Sequence, residues 1–393
     1  MKSKIVLLVS LVLLIASFAM AQKPCSPTVT PPRTLFVNWA QFHFDPAHSG
    51  CNPYESTLSP DTVGNLKLAW GESEQGGYST PIAANGILYA GFGHKTQMGE
   101  DYGYLFALNA NTGAQLWSFP TKYYVASSPA VANGMVYVSD EAYLYALNAN
   151  TGALIWSQLT RGSASPTVAN GVVYAAGAGP NGFVYAFDGK TGTLLWQAST
   201  AGVAVSSPTV ANGMVYVAGG DDNVYALDAT TGALLWQYAT GNSAEPSPAV
   251  ANGVVYFGSD DNNLYALHAA TGALLWKYAT AGPLLASPVV AYGAVYASSI
   301  DHNVYAINAA TGALLWKYNL NSDDTSELAV ANGVLYFGSY DGYAYALNAS
   351  TGALLLKYYA GFMQALGWGP IVTNGTLYFG AGEQVYAFRL GND

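Results

Sequence analysis

The residues of this sequence that could do chemistry are few, and their spacing does not form a catalytic motif. The histidines never fall at the close spacing of a zinc site; they are His43, His48, His94, His268 and His302. Acidic residues recur at Asp140-Glu141, Asp221-Asp222, Asp260-Asp261 and Asp301, and they could bind calcium if several converged. Because the Asp-x-Asp-x-Asp-Gly spacing of a calcium loop is absent and Asp favours turns, we interpret them as hairpin residues. Neither a Gly-x-Ser-x-Gly elbow nor a Walker loop is present.

A second group of residues stands out because it interrupts a repeat that is otherwise regular. We place Glu327 where the sister copies have proline, and three residues upstream of that position Glu245 and Asp324 replace small or apolar residues. The predicted partner or ligand site comprises Glu245, Asp324, Glu327, Arg161, Tyr124 and Trp368. The alternative is that these residues have no function and reflect sequence drift in loops that tolerate substitution. A set of carboxylates without lysine would favour a cationic ligand, a calcium ion or an Arg-bearing segment of a partner.

The charge balance excludes two classes of partner. Lys plus Arg is 13 against 23 Asp plus Glu, a formal net charge of −10. If residues 1–21 are removed as a signal peptide, Lys2 and Lys4 are lost. The remaining chain has 11 basic and 23 acidic residues, a net charge of −12. Such a chain lacks the basic stripe that phosphate backbones require, and anionic headgroups would repel it. Nucleic acid and membrane surfaces are therefore not expected as partners.

Residues 1–21 have the pattern of a secretory signal peptide. Lys2 and Lys4 precede an apolar run from Ile5 to Ala19, and Ala19-Met20-Ala21 follows as a small-x-small cleavage site. The apolar run is about 15 residues, short of the ~20 that span a bilayer, so we favour cleavage after Ala21 over a retained anchor. The sequence predicts a mature chain without a membrane span, exported to the periplasm or beyond the cell.

The two cysteines, Cys25 and Cys51, would both lie in an oxidising compartment after export. We expect a disulfide between them, with two free thiols as the alternative. The bond would close a loop of about 25 residues and contribute about 3 kcal/mol by chain entropy.

The elements that must position all these residues belong to a repeat of about forty residues. Thr-Gly recurs at 112, 151, 191, 231, 271, 311 and 351, with a spacing of 39 once and then of 40. Within one copy, residues 206–238, short runs rich in Val, Tyr, Leu and Trp are separated by three turns, one of them Asn212-Gly213. Asn-Gly between such runs is a strong hairpin signal, because both turn positions need positive φ.

Four antiparallel strands in about forty residues is the period of a propeller blade. Two further series have eight members each. Asn-Gly or its equivalent begins at Asn85, Asn133, Asn170, Asn212, Asn252, Tyr292, Asn332 and Asn374, and an aromatic-Ala pair begins at Phe106, Tyr145, Tyr185, Tyr225, Tyr265, Tyr305, Tyr345 and Tyr386. The sequence therefore predicts an all-β, eight-bladed propeller over residues 65–390, preceded by an extension over residues 22–64. The Thr-Gly turns are one short of the blades. Residues 65–70 are therefore expected to supply the fourth strand of the last blade, which removes an exposed edge.

The tryptophans recur at one position of the outermost strand; they are Trp70, Trp117, Trp156, Trp196, Trp236, Trp276 and Trp316, with Leu356 in the seventh Thr-Gly copy. A residue that recurs in seven of eight blades serves the architecture, so we assign the tryptophans to packing between blades rather than to cofactor stacking.

The stretch from Ala226 to Trp236 resembles the tryptophan-docking repeat of the pyrroloquinoline-quinone (PQQ) propeller superfamily, Ala-x-Asp-x-x-Thr-Gly-Lys-x-x-Trp. The leader Asn38 to Gly50 is also similar to the segment that precedes the propeller in exported members. That superfamily contains calcium- and PQQ-dependent dehydrogenases and also non-catalytic propellers, such as the lipoprotein of the outer-membrane β-barrel assembly machinery. The resemblance implies the fold and leaves the chemistry open.

We expect a non-enzymatic exported propeller that binds another protein or serves as a scaffold, with no catalytic, cofactor-binding or metal-ligating residue assigned. A quinoprotein dehydrogenase holding PQQ and calcium is one alternative. It is disfavoured because the adjacent cysteine pair of the alcohol enzymes is absent and the uniformly short blades offer no insertion for the calcium ligands. A self-assembling extracellular or cell-surface protein is the other alternative, since a surface so poor in charge would suit either kind of contact.

Overall fold

The strands that the repeat predicts are present and form separate sheets around one axis. The computed structural model describes residues 38–73, 77–94, 102–177, 182–200, 206–320, 322, 325–360, 369–381 and 384–391. Within these ranges the chain forms eight sheets, each an antiparallel blade with its short innermost strand at the axis. The eight-bladed propeller is thus confirmed. No helix in the described part is long and apolar enough to cross a membrane.

The first half of the ring follows the order of the chain. Before it come β1 (Cys51–Asn52), a 3-10 helix (Val63–Asn65) and β2 (Leu66–Ser73). Blade 1 holds β3 (Gly77–Tyr78), β4 (Ile82–Ala84), β5 (Ile87–His94), β6 (Tyr102–Asn109) and β7 (Gln115–Thr121). Blade 2 holds β8 (Ala130–Ala132), β9 (Met135–Ser139), β10 (Tyr143–Asn148) and β11 (Leu154–Leu159). Blade 3 holds β12 (Thr167–Ala169), β13 (Val172–Gly177), β14 (Phe183–Asp188) and β15 (Leu194–Ser199). Blade 4 holds β16 (Thr209–Ala211), β17 (Met214–Ala218), β18 (Asn223–Asp228) and β19 (Leu234–Ala239).

The second half continues the series and closes on the N-terminal strand. Blade 5 holds β20 (Ala249–Ala251), β21 (Val254–Gly258), β22 (Asn263–His268) and β23 (Leu274–Ala279). Blade 6 holds β24 (Val289–Ala291), β25 (Ala294–Ser299), β26 (Asn303–Asn308) and β27 (Leu314–Asn319). Blade 7 holds β28 (Ala329–Ala331), β29 (Val334–Ser339), β30 (Tyr343–Asn348) and β31 (Leu354–Tyr359). Blade 8 holds β32 (Ile371–Thr373), β33 (Thr376–Ala381) and β34 (Gln384–Leu390), and its fourth strand is β2.

Ring closure occurs where the sequence predicts it. Strand β2 pairs antiparallel with β34, with Leu66 opposite Leu390 and Ser73 opposite Gln384. An early strand therefore supplies the outer edge of the last blade, so that unfolding either end opens the ring.

The propeller has two ends, distinguished by their loops. At one end, Ala229 N–H donates to Gly213 O at 2.9 Å, which joins the turn before each outermost strand to the Asn-Gly turn after the innermost strand. We call this end the turn face. At the other end, Gly241 N–H donates to Asp261 Oδ2 at 2.9 Å, which joins the loop between two blades to the turn after the second strand of the next blade. We call this end the funnel face.

The core lies between neighbouring blades, and the repeated indoles contribute to it. Trp236 Nε1–H donates to Ala269 O of blade 5 at 2.9 Å, and the Tyr216 hydroxyl donates to the same carbonyl at 3.2 Å. Gly272, from the Thr-Gly turn of blade 5, has a φ of +69°, and a Cβ there would lie 2.8 Å from Cδ2 of the Trp236 ring. In six Thr-Gly turns the glycine thus provides both the left-handed backbone and the space for the preceding blade's indole; these are Gly152, Gly192, Gly232, Gly272, Gly312 and Gly352.

Candidate functional site

The acidic turns of the funnel face are hydrogen-bonded within their own blades. In five blades a third-strand tyrosine donates its hydroxyl to the turn aspartate; the pairs are Tyr145–Asp140, Tyr225–Asp221, Tyr265–Asp261, Tyr305–Asp301 and Tyr345–Asp341. Asp261 also accepts N–H groups from Gly241 and Asn263. Burial alone would raise the pKa of Asp261, but the bonds from Tyr265, Gly241, Asn263 and Ser259 together lower that pKa. These acids hold loops and turns together.

One step nearer the axis, a ring of side-chain oxygens joins consecutive blades. Ser207 N–H donates to Ser247 Oγ at 2.9 Å, and Ser247 N–H donates to Ser287 Oγ at 3.0 Å. The same bond recurs from Ser128 to Ser165, from Ser165 to Ser207, and from Gly369 to Thr80. We call this set the hydroxyl ring. In blade 7 its place is taken by Glu327, whose Oε2 accepts Ser287 N–H at 2.8 Å and whose Oε1 accepts the Ser287 hydroxyl at 3.1 Å.

This geometry corrects the alignment of Glu327. Strand pairing places Val289 opposite Tyr296 and Ala329 opposite Tyr336, so residue 327 corresponds to Ser287. Glu327 therefore replaces a serine, and Leu328 stands where the sister blades have proline. The expectation that Glu327 occupies the proline position was wrong by one residue, because blade 7 has lost the Ser-Pro pair that would have fixed the alignment. By the same shift, Glu245 corresponds to Thr325 rather than to Asp324.

Beneath the hydroxyl ring, residues 39–52, the axial segment, run around the inside of the propeller. They bond to the middle residue of every innermost strand in blade order. The N–H donors and their acceptors are Ala83 to Trp39 O, Val131 to Ala40 O, Val168 to Gln41 Oε1, Val210 to Pro46 O, Val250 to Ala47 O, Val290 to Ser49 O and Val330 to Gly50 O. In blade 8 the direction reverses, and Asn52 Nδ2 donates to Val372 O at 2.8 Å. A strand edge that would otherwise face the axis unpaired is thereby satisfied in each blade.

The side chain of His43 contacts the hydroxyl ring on the opposite side of the propeller from blades 3 and 4. Its neighbours along the segment bond to blades 3 and 4, yet its Nε2 lies 3.1 Å from Glu327 Oε2 of blade 7. The His43 side chain is 3% exposed and that of Glu327 13%. His43 stacks on Phe42 with ring centroids 4.3 Å apart, and its Nδ1 has no hydrogen-bond partner among the described residues. His43 and Glu327 thus form a polar connection between the axial segment and the ring.

His48 is a buried, neutral member of the same segment. Thr209 Oγ1 donates to Pro248 O, so it accepts from His48 Nδ1 at 2.8 Å, and His48 Nε2 accepts from Thr167 Oγ1 at 3.0 Å. Burial, with a smaller contribution from His43, holds the pKa of His48 well below 6.5. Both ring nitrogens are satisfied in the neutral form, so His48 links blades 3 and 4 without carrying charge.

The hydrogen bonds of Glu327 are made with His43 and Ser287, and among the described residues neither Glu245 nor Arg161 bonds to it. Glu245 and Arg161 are exposed, and Arg161 has a φ of +57°. Tyr124 is half-buried and lies near Gly93, where a Cβ would approach its ring at 2.2 Å. Asp324, Trp368 and Cys25 lie outside the described residues. Cys51 is buried in β1, which runs parallel to β28.

Sequence reasoning missed His43 and His48 because it tested histidines only as metal ligands. The signal that could have found them is compositional: residues 38–52 combine two histidines, two asparagines and several aromatics in a stretch outside the repeat. Polar and aromatic side chains mixed in this way need hydrogen-bond partners if they are buried. Those partners lie in distant blades, so the repeat does not reveal them.

Around Glu327 the described residues do not supply the set of ligands that a calcium ion needs. Calcium takes 6–8 oxygen ligands, several of them carboxylates. Within the described ranges no three His, Cys, Asp or Glu side chains come together in a group that could hold a metal ion. Glu327 brings one carboxylate, and His43 and Ser287 occupy it.

Comparison with known proteins agrees with the architecture. The profile of the family described as outer membrane protein assembly factor BamB matches residues 64–164, 140–247 and 239–392. No curated protein matches the chain. Among solved structures, the quinohemoprotein alcohol dehydrogenase ADHIIG from Pseudomonas putida HK5 superposes with a TM-score of 0.75 at 18% identity, over 91% of this chain and 81% of the enzyme. BamB from Moraxella catarrhalis gives 0.67 at 18% identity, over 82% of this chain and 99% of BamB. The computationally designed protein Ika8 gives 0.70 at 16% identity, over 81% of this chain and 98% of the design. At these identities the likeness concerns the fold alone.

Proposed function

The chain belongs to the family of the outer membrane protein assembly factor BamB, a family of PQQ-like propellers, and from that membership we propose that it is an exported, non-enzymatic scaffold that binds another protein through its funnel face. Export is proposed from the signal-like residues 1–21. The family description suggests a role in outer-membrane protein assembly. The alcohol dehydrogenase among the structural neighbours suggests the competing role of a quinone-dependent enzyme.

The observation that carries the proposal is the bonding of three funnel-face acids, Asp261, Asp301 and Glu327. Asp261 and Asp301 accept tyrosine hydroxyls at 2.5 Å and 2.6 Å, and Glu327 accepts two bonds from Ser287 and lies against His43. A general acid or base must exchange a proton with substrate, and a side chain whose oxygens are taken by the framework is poorly placed to do so. This arrangement favours a stable surface over a reactive pocket.

The remaining exposed groups of that face suit a protein partner. Glu245 and Arg161 are exposed on the loops between blades, and Tyr123 and Tyr143 lie parallel with ring centroids 6.4 Å apart beside the exposed Lys122. Tyrosine and arginine are enriched at protein interfaces. A partner contacting these loops would meet both charge signs and aromatic surface.

The test is site-specific photo-crosslinking in cells that export the full chain. A photoreactive residue replaces Glu245 or Arg161 on the funnel face, and Thr230, exposed in the turn before an outermost strand on the turn face, serves as the matched control. We expect discrete adducts to another protein from the funnel-face positions and none from Thr230. The proposal fails if neither funnel-face position gives an adduct.

The dehydrogenase alternative is tested on the purified chain. PQQ and calcium are added together, unbound quinone is removed, and the absorption spectrum and alcohol oxidation are measured. We expect no retained quinone absorbance and no activity. Stoichiometric quinone with turnover would replace the scaffold proposal with an enzymatic one.

A further inference from the structure

In the part of the chain that the structure describes, one of the eight interfaces between neighbouring blades lacks two hydrogen bonds that the other seven share. In those seven, a second-strand tyrosine and an outermost-strand indole of one blade donate to a single carbonyl of the next, as Tyr296 and Trp316 do to Ala349 O, both at 3.0 Å. The other tyrosine donors are Tyr89, Tyr137, Tyr174, Tyr216, Tyr256 and Tyr378. Between blades 7 and 8 the equivalent residues are Tyr336 and Leu356. Leucine has no donor, and the buried Tyr336 hydroxyl has no hydrogen-bond partner among the described residues.

The way the ring closes explains this difference. The shared carbonyl belongs to the turn that links the third strand of a blade to its outermost strand, which is where Ala349 lies in blade 7. By strand pairing, the equivalent residue of blade 8 is Leu390. Leu390 pairs with Leu66 inside β34, because the outermost strand of blade 8 comes from the N-terminal side and no turn precedes it. The hydroxyl ring is interrupted at the same interface, since its blade 8 member, Gly369, has no side chain to accept a bond from blade 7.

Part of the N-terminal extension packs into this interface. We call residues 53–65 the strap. Leu58 and Val63 of the strap are fully buried, and they belong to one apolar cluster with Tyr336 of blade 7 and Phe379 of blade 8. The strap therefore supplies apolar contact between two blades that lack the bonds of the other interfaces.

Glu55 fixes the shape of the strap and joins it to blade 8. Its Oε1 accepts the N–H groups of Thr57 and Leu58 at 2.7 Å and 3.0 Å. Its Oε2 accepts the N–H of Gly375, in the Asn-Gly turn of blade 8, at 3.0 Å. Glu55 is buried, so a carboxylate that lost these three donors would be left without compensation for its burial.

We propose that the propeller opens locally between blades 7 and 8 when the strap detaches, while the other seven interfaces stay closed. Closing this interface buries the Tyr336 hydroxyl without a partner, and that cost is removed when water reaches the hydroxyl in the open form. Opening any other interface would break two bonds to the shared carbonyl, whereas none has to break here. The strap bonds to blade 8 at the turn face, and the proposed partner site lies on the funnel face. The opening and the proposed function can therefore fail independently.

The test is thiol labelling at two matched positions of the mature full chain. Ala346 and Ala306 are equivalent and fully buried, but Ala346 lies in the apolar cluster between blades 7 and 8 and Ala306 in the cluster between blades 6 and 7. Ala346→Cys and Ala306→Cys are made in separate proteins, and alkylation under native conditions is followed by peptide mass spectrometry. We expect labelling at position 346 to be at least about tenfold faster, because global unfolding exposes both positions and local opening exposes one. Equal rates would overturn the proposal.

Two tyrosine variants should have opposite effects on these rates. Tyr336→Phe removes a hydroxyl that has no partner, so it should slow labelling at position 346 by at least about threefold. Tyr296→Phe is the matched control: it removes the bond to Ala349 O and should speed labelling at position 306. Labelling at position 346 that is unchanged or faster in Tyr336→Phe would contradict the proposal.

A strap variant tests which element controls the opening. Glu55→Gln keeps the size of the side chain but leaves only one oxygen to accept the three N–H groups. We expect labelling at position 346 to rise by at least about threefold and labelling at position 306 to stay unchanged. Glu245→Gln, at an exposed acid, should change neither rate. If Glu55→Gln accelerates both positions equally, the strap stabilises the whole fold rather than this interface, and the proposal fails.

Discussion

His43 Nε2 lies 3.1 Å from Glu327 Oε2, which joins the axial segment to blade 7 on the side of the ring opposite to the blades that the segment's neighbouring residues contact. Glu327 also receives the bond that a serine hydroxyl receives in the sister blades. The one acid in the hydroxyl ring therefore has two functions: it continues the ring, and it anchors the segment that fills the axis.

Glu327→Ser should test the second function, because serine restores the ring residue of the sister blades but cannot reach His43. We expect unfolding free energy to fall by about 1–3 kcal/mol, since His43 would be left buried with neither ring nitrogen satisfied. Urea denaturation measures this. Glu245→Ser, an exposed acid on the same face, is the control and should change stability by less than about 0.5 kcal/mol. Additive effects of Glu327→Ser and His43→Leu in a double-mutant cycle would show that the contact is not energetically coupled.

Stability should fall in acid through His48. Its folded pKa is well below 6.5 because it is buried, so as pH drops below 6.5 the unfolded chain takes up the proton and the folded chain does not. The unfolding free energy should therefore decline from pH 7 towards pH 5, by up to about 1.4 kcal/mol per pH unit from this group. His48→Asn should flatten the profile.

The comparison with His48→Asn, rather than the absolute profile, isolates this effect. Burial raises the pKa of Asp45, which acts in the opposite direction because its folded form is protonated at higher pH than its unfolded form. His268→Asn, at an exposed position where four sister blades have Asn109, Asn148, Asn308 and Asn348, is the control and should leave the slope unchanged. Equal slopes for all three proteins would rule His48 out as the source.

Two glycines with similar backbones should respond differently to alanine. Gly272 and Gly253 have φ values of +69° and +78°, but a Cβ on Gly272 would meet the Trp236 ring at 2.8 Å whereas one on Gly253 meets nothing within 4 Å. Both variants incur left-handed strain of about 1–2 kcal/mol. Gly272→Ala should cost at least about 1 kcal/mol more, because it displaces an indole packed between blades. Equal losses on chemical denaturation would contradict this packing role.

The axial segment should protect the innermost strands from hydrogen exchange. A Cβ on Gly50 would lie 2.5 Å from Val289 Cγ2, so Gly50→Ala must displace the segment there. The amides of Val290 and Val330, which donate to Ser49 O and Gly50 O, should then exchange at least about tenfold faster. Gly134→Ala, in an open Asn-Gly turn, is the matched control. Unchanged protection of both amides in Gly50→Ala would mean that the segment does not limit opening.

The disulfide between Cys25 and Cys51 remains a prediction. Reduction should raise the mass of the linked peptides by about two daltons, and loss of the bond should cost about 3 kcal/mol by loop entropy. Peptide mass spectrometry with and without reductant checks both cysteines. Alkylation of both thiols in the untreated, unfolded protein would exclude the bond.

The sequence by itself determined the blade architecture, because that information is local and repeated. Asn-Gly and Thr-Gly turns need positive φ at fixed positions, and Asn212, Gly213 and Gly232 have it. The Thr-Gly turns were one short of the blades, and so the count alone assigned residues 66–70 to the last blade, as β2 confirms. Repetition makes each of these features visible many times over.

Tertiary structure decided everything that depends on where the axis lies. The axial segment does not repeat, and each of its bonds joins residues far apart in sequence, such as His48 to Thr167 and His43 to Glu327. The alignment of Glu327 failed at the one blade that lacks the proline, since strand pairing, rather than local sequence, fixes that register. The exposure of Leu235 was hidden for a related reason: a bulge breaks the two-residue alternation, and only the paired strands reveal it.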